Sequence, residues 1–206
     1  MAHRRRPLAV ALALNTAVLV VELVGGFGAS SLSLILDGVH NLSDEMALTF
    51  LVLAYTLRRG LSGKLLRSAN LFNSLGLVTV CAFIVWQVLE RLGQPVPVLG
   101  LIPVIAGLFG AVGNWGVARL LREPARHDAA IRLAYVHNLG DTLLSLAPVL
   151  AGGLILLSGE PRFDALMALV IAGVILVTTI RAVIGSHREL LWPDNIACGH
   201  PESPSN

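Results

Sequence analysis

The sequence predicts an all-α membrane protein of six transmembrane helices, built as two inverted halves of three, with both termini on the cytoplasmic side. Three observations carry that expectation. Of the 206 residues, 55% are hydrophobic and only 14% charged, where a soluble domain carries about a quarter charged. The mean hydropathy is +0.75. The apolar residues come in runs of the length a helix needs to cross a bilayer. The basic residues cluster at alternate breaks between those runs. A single large soluble core is excluded, and a net charge of +2 gives no reason to expect nucleic acid as a partner.

Spans are expected at about 7–28, 32–57, 69–90, 97–120, 127–157 and 164–185. The basic start, Met1 to Arg6, leads through Ala13-Leu14-Asn15-Thr16 into more apolar sequence, with no small-residue cleavage site, so it reads as a first span and not as a secretory signal. Gly25, Gly26 and Gly28 with Ser30 and Ser31 are expected to loosen the first turn. Gln94, Pro95 and Pro97 end the third span. Pro124 suits the first turn of the fifth helix, where a missing N–H costs nothing. Gly159, Glu160 and Pro161 mark the last turn.

Orientation follows from charge. All of the 15 Lys and Arg except Arg91 and Arg162 lie in four regions: the N-terminus, the 58–67 loop, the 119–132 segment and the end of span six. Six spans bring these regions to one side, which the positive-inside rule makes cytoplasmic. Five or seven spans would scatter them. The expected layout is one transmembrane domain over 1–188 and a short disordered tail over 189–206, with no second domain. Cys81 and Cys198 sit in an apolar run and a polar tail, and no disulfide is expected between them.

The chemistry lies in an internal repeat. Span two contains Val39-His40-Asn41-Leu42-Ser43-Asp44 and span five contains Val136-His137-Asn138-Leu139-Gly140-Asp141. Each copy is in the second span of a three-span half, so the two run antiparallel, as in transporters whose substrate sites lie near the midplane between inverted repeats. In each copy His and Asp are four apart, hence one turn apart on one helix face. Two such faces turned together offer two imidazole nitrogens and two carboxylate oxygens, a set that suits tetrahedral zinc. An aspartate in the bilayer costs about 2.5–3.5 kcal/mol even on the lenient insertion scale. Two aspartates and a divalent cation sum to zero charge, and protonation restores neutrality when the metal leaves. Asp37, one turn before His40, is expected beside the ligands or at the site's mouth, as a proton carrier, an outer ligand or a group that orients His40. Asn41 and Asn138 are expected to bond helix to helix next to the ligands.

These residues resemble the cation diffusion facilitator family. The stretch Asn15, Glu22, Ser31, Leu34, Asp37, His40, Asp44 is similar to its first two spans. Glu90, Arg91 and Pro95 resemble the end of its third, Asn114 its fourth, His137, Asp141 and Ser145 its fifth, and Asp164 the start of its sixth. The resemblance runs from residue 8 to about 185. It implies a proton-coupled exporter of divalent metal acting as a homodimer in the cell membrane, with His40, Asp44, His137 and Asp141 as metal ligands. It also implies transported Zn2+, Cd2+ or Co2+ as substrate, and no cofactor. Imidazole ligands favour these ions over manganese and magnesium; manganese members of the family resemble an Asp pair at the first position. Two departures stand out. The family's usual cytoplasmic C-terminal domain is not expected here, so a dimer would form through the membrane part. Ala69 and Asn70 occupy the usual place of an acidic residue near the start of span three.

Lesser candidates have simpler expected roles. Glu22 shares a face with Asn15 and is expected in a proton path or facing water near the outer interface. Glu90 is expected to pair with Arg91 or a neighbour. His127 and Asp128 read as an interfacial pair. His187, Asp194, Cys198 and His200 form a sparse set of metal-capable residues in or near the tail. A membrane-embedded zinc enzyme is an alternative class, with Asp37 as base, but catalytic zinc uses three protein ligands and an open position, and no His-Glu-x-x-His pattern is present. A non-transporting partner subunit is a second alternative, from which loss of ligands would be expected.

Overall fold

The computed structural model describes residues 2–56, 63–126 and 129–188. These form α1 (Ala2–Ala29), α2 (Leu32–Thr56), α3 (Gly63–Gly93), α4 (Leu101–Leu121), a 3-10 turn (Pro124–Arg126), α5 (Ala129–Leu144), α6 (Leu146–Ser158) and α7 (Arg162–Arg188), with no strand among the described residues. Among the described residues, five stretches are long and apolar enough to cross a membrane: Leu8–Ala29, Asn73–Gly93, Leu101–Leu121, Ile131–Ser158 and Arg162–Arg181. The remaining long helix, α2, has 25 residues. It carries Asp37, Asp44 and Glu45 along its length.

Helices α5 and α6 together make the long fifth element, interrupted at Ser145. The cause is Pro148, which has no N–H for the Leu144 carbonyl and whose ring crowds it. The bond from the Ser145 N–H to the Asp141 carbonyl survives at 2.9 Å, so the break does not unwind the turn that holds Asp141.

Two expectations about breaks need correction. The first turn falls at the expected serines and not at the glycines. Gly25, Gly26 and Gly28 are all inside α1, and the chain reverses at Ser30, which takes a left-handed φ of 56°. Its N–H bonds the Phe27 carbonyl at 3.3 Å and the Ser31 N–H bonds the Gly26 carbonyl at 2.9 Å, the two bonds of a Schellman closure. Gly26 is needed for packing instead: a Cβ there would lie 2.7 Å from Ile35 Cγ1 and 2.9 Å from the Ile35 nitrogen. Likewise Pro124 opens its own 3-10 turn, and α5 begins only at Ala129.

Helix α1 packs on α2 and α4, and α4 packs on α5 and α6. Helices α3 and α7 pack on each other and on α2, around a buried core of Leu32, Leu36, Leu77, Cys81, Ile84, Val88, Ala168, Ile171 and Ile175. A second core, with Leu8, Ala11, Val117, Leu121, Ala125 and Ile131, joins α1, α4 and α5. Large apolar side chains such as Phe27, Trp86, Leu99, Ile105, Trp115 and Leu157 are exposed, as expected of a surface that meets lipid.

Candidate metal centre

Helices α2 and α5 bring their hexamers face to face. The four donors of His40, Asp44, His137 and Asp141 all lie within 4.8 Å of one another. Pairing is crossed between helices. His40 Nε2 is 3.1 Å from Asp141 Oδ1, and His137 Nε2 is 2.6 Å from Asp44 Oδ1. The pairs within each helix are looser, 3.8 Å for His40 with Asp44 and 3.6 Å for His137 with Asp141. Each aspartate therefore touches both helices through its two oxygens, and the imidazole rings meet edge to face with centroids 5.6 Å apart. His40, Asp44 and Asp141 are buried, while the His137 side chain keeps 45% of its surface uncovered.

Behind this cluster lies a polar seam between α1 and α2, buried at Glu22, Asn41 and Asn15. Asn41 Nδ2 donates to Glu22 Oε2 at 2.5 Å. Asn15 Nδ2 is 3.2 Å from the Asn41 carbonyl and 2.9 Å from Glu45 Oε2, and the Thr16 hydroxyl is 2.5 Å from Glu45 Oε1. Glu22 is fully buried, so the expectation that it faces water is wrong. Its carboxylate has room because residue 110 is glycine: a Cβ there would stand 2.0 Å from Glu22 Oε1. Asp37 is also buried, with Ser145 and Glu22 nearby but neither carboxylate oxygen at hydrogen-bonding geometry. Asn114 Nδ2 donates to Ser145 Oγ at 3.2 Å, tying α4 to the break in the fifth element.

Two other expectations differ from what is seen. Asn138 donates to the Ala134 carbonyl of its own helix at 2.9 Å, so of the two hexamer asparagines only Asn41 reaches another helix. Arg91 donates to the Ser30 carbonyl, closing the left-handed turn, in place of a pair with Glu90. His127, Asp128, Asp194, Cys198 and His200 lie outside the described residues, as does the side chain of His187. Sequence reasoning missed Glu45 and Thr16. The available signal was Glu45 four residues after Asn41, the same one-turn step that links His to Asp in the hexamers.

The chain matches the model of the cation efflux transmembrane domain over residues 8–191. It belongs to the cation efflux family. It is 30% identical over 198 residues to the zinc transporter ZitB of Escherichia coli strain K12, an alignment that covers 92% of this chain and 63% of that protein. It is 26% identical over 182 residues to a cadmium, cobalt and zinc/H(+)-K(+) antiporter of Bacillus subtilis strain 168, covering 84% of this chain and 58% of the relative. Identity is 29% over 177 residues to the metal cation efflux system protein CzcD of Cupriavidus metallidurans, covering 81% and 55%. The chain thus spans less than two thirds of the length of each of these cation efflux relatives.

Proposed function

We propose that the protein carries a divalent transition-metal ion, zinc first among them, out of the cytoplasm in exchange for protons, with His40, Asp44, His137 and Asp141 as the ligands of the transported ion. The observation that carries this reading is the crossed convergence of two His-Asp pairs, one from α2 and one from α5, within 4.8 Å. Two nitrogens and two oxygens complete a tetrahedral set for Zn2+, Cd2+ or Co2+ and leave no open position for a catalytic water. Membership in the cation efflux family and similarity to named metal transporters support the same class.

Proton coupling follows from the bonding of the ligands. Each Nε2 that would bind metal faces a carboxylate oxygen of the opposite helix. A proton held between them must leave before the metal enters, and a proton returning from the acidic side displaces it. Asp37 belongs beside the ligands: its carboxylate and His40 Nδ1, one turn apart on α2, are both buried and do not bond each other here, so each is available to the other when the imidazole binds metal. Glu22, joined to Asn41 next to His40, belongs to the proton path, and Asn41 and Asn138 hold the ligand turns in place. The clustering of basic residues supports a cytoplasmic side for both termini, and the family resemblance implies a homodimer in the cell membrane.

The test is metal flux into inside-out vesicles or proteoliposomes at fixed membrane potential. Zinc uptake rises when the lumen is acidified and collapses with an uncoupler. Flux indifferent to the pH gradient removes the exchange mechanism, and absence of flux for any divalent ion removes the transport reading.

A further inference from the structure

The buried carboxylate of Asp164, in the first turn of α7, is spent on another helix. Its Oδ1 accepts from the Ser31 hydroxyl at 2.6 Å, the Ser33 hydroxyl at 2.5 Å and the Ser33 N–H at 3.3 Å, and its Oδ2 accepts from the Leu32 N–H at 2.6 Å. Leu32 and Ser33 are the first residues of α2. Their N–H groups have no partner inside the helix and ordinarily bond a capping side chain just before it. Here Ser31 caps only the Leu34 N–H, at 3.2 Å, and the others are capped from α7. Asp164 thus lies at the N-termini of two helices at once, where both backbone dipoles favour a negative charge. Both its oxygens carry hydrogen bonds, unlike those of Asp37.

We infer that Asp164 is a positioning residue for the transport site, setting the register at which α2 presents His40 and Asp44 to His137 and Asp141. The inference rests on the assignment of those four residues as ligands. Ser33, Asp37, His40 and Asp44 recur at helical spacing on one stripe of α2, so a slip or rotation at the capped end reaches the ligands two turns away undamped. The α1–α2 crossing at this end is a close glycine contact, Gly26 against Ile35, which fixes the distance between helices but offers no polar lock on sliding. At this end of α2 the lock is the set of bonds to α7. Helix α7 in turn packs on α6, the continuation of the helix that carries His137 and Asp141. Asp164 therefore connects the two half-sites by a route that avoids the ligands themselves. Tetrahedral zinc holds its nitrogen and oxygen ligands at about 2.0–2.2 Å, so a loosened register weakens binding and relaxes the demand for a small ion.

The experiment measures Zn2+ and Cd2+ affinity of the purified full chain, with the metal-free thermal midpoint, for the parent, H40A, D164A, D164N and S33A. Zinc affinity of D164A falls about tenfold or more, in the range seen when groups behind metal ligands are removed, and its preference for Zn2+ over the larger Cd2+ narrows. D164N keeps one accepting oxygen and falls in between. S33A, which leaves the carboxylate and three of its donors, shifts the same two readings by less and serves in place of D164A if that variant does not fold. An unchanged zinc affinity and Zn/Cd ratio in D164N and S33A, with only a lower thermal midpoint, makes Asp164 an ordinary helix cap and overturns the inference alone. A parent that binds no zinc, or an H40A that binds as the parent does, overturns the ligand assignment and this inference with it.

Discussion

The hexamers of α2 and α5 differ at a single position, Ser43 against Gly140, yet they live in different surroundings. His40 leaves 8% of its side chain uncovered and His137 leaves 45%. The differing position sits where the environments part. Ser43 Oγ accepts from Asn73 of α3 at 2.7 Å, whereas a Cβ at Gly140 would meet nothing within 4 Å. The third helix of the first half lies along α2, and α7 packs there as well. Helix α5 packs mainly on α4 and has no comparable contact with α3 or α7 among the described residues. Ligand identity is therefore a property of the repeat, while access to the ligands is a property of what packs behind each copy. One imidazole is enclosed by protein and the other is reachable from outside the bundle.

Removing an aspartate tests the part of the site where the two copies do not differ. Asp44 and Asp141 are both buried, and each reaches a histidine on the opposite helix. Loss of either strips a charge and a bond from both halves. D44A and D141A should each cut metal flux by on the order of 100-fold or more, beyond what losing a supporting group costs, while the protein remains folded by circular dichroism and gel filtration. A variant that keeps more than a tenth of the parent flux would remove that aspartate from the ligand set.

Exchanging a histidine for aspartate probes the asymmetry itself. H40D puts an oxygen donor on the enclosed side, where the ring cannot swing away, and should admit manganese while weakening zinc preference about tenfold, because oxygen replaces nitrogen in the coordination shell. H137D makes the same chemical change on the open side, where water or a rotated side chain can complete the shell, and should shift selectivity less. Competition of Mn2+, Cd2+ and Co2+ against zinc uptake reads both. Equal shifts would mean that the enclosure of His40 has no part in selectivity.

The repeat was legible because spacing along a helix fixes which residues share a face, and His40 with Asp44 or His137 with Asp141 needs nothing more. Long apolar runs likewise reported the helices. Partners across helices were not legible, since spacing names a face but not its neighbour. Glu22 looked like an interfacial acid until Gly110 placed α4 against it, and Asp164 is 131 residues from the serine whose N–H it accepts. The glycines at 25, 26 and 28 carry two physical meanings, turn and close approach, and only the packing of α2 decides for the second. Pro148 did offer a usable sign of the break at Ser145, three residues before it, because a proline inside a long helix kinks it near the carbonyl it crowds.

The smallest expected effect concerns the one position at which the hexamers differ. Ser43→Ala removes the acceptor for Asn73 and should cost about 1 kcal/mol, the net worth of an ordinary hydrogen bond. Gly140→Ala adds a methyl group that touches nothing and removes a helix-interior glycine, for a gain of up to about 1 kcal/mol. The double variant makes the two hexamers identical in sequence, and if the positions act independently its stability should return close to the parent's, as additive effects at separate sites do. Thermal unfolding in detergent reads all three proteins. Zinc flux in the double variant should stay within about twofold of the parent, because Ser43 bonds Asn73 and not a ligand, and a Cβ at Gly140 meets nothing. A Gly140→Ala protein that is less stable than the parent would show that something packs against α5 at this point, a partner helix or a second copy of the chain, and the open side of the site would then be closed in the working molecule.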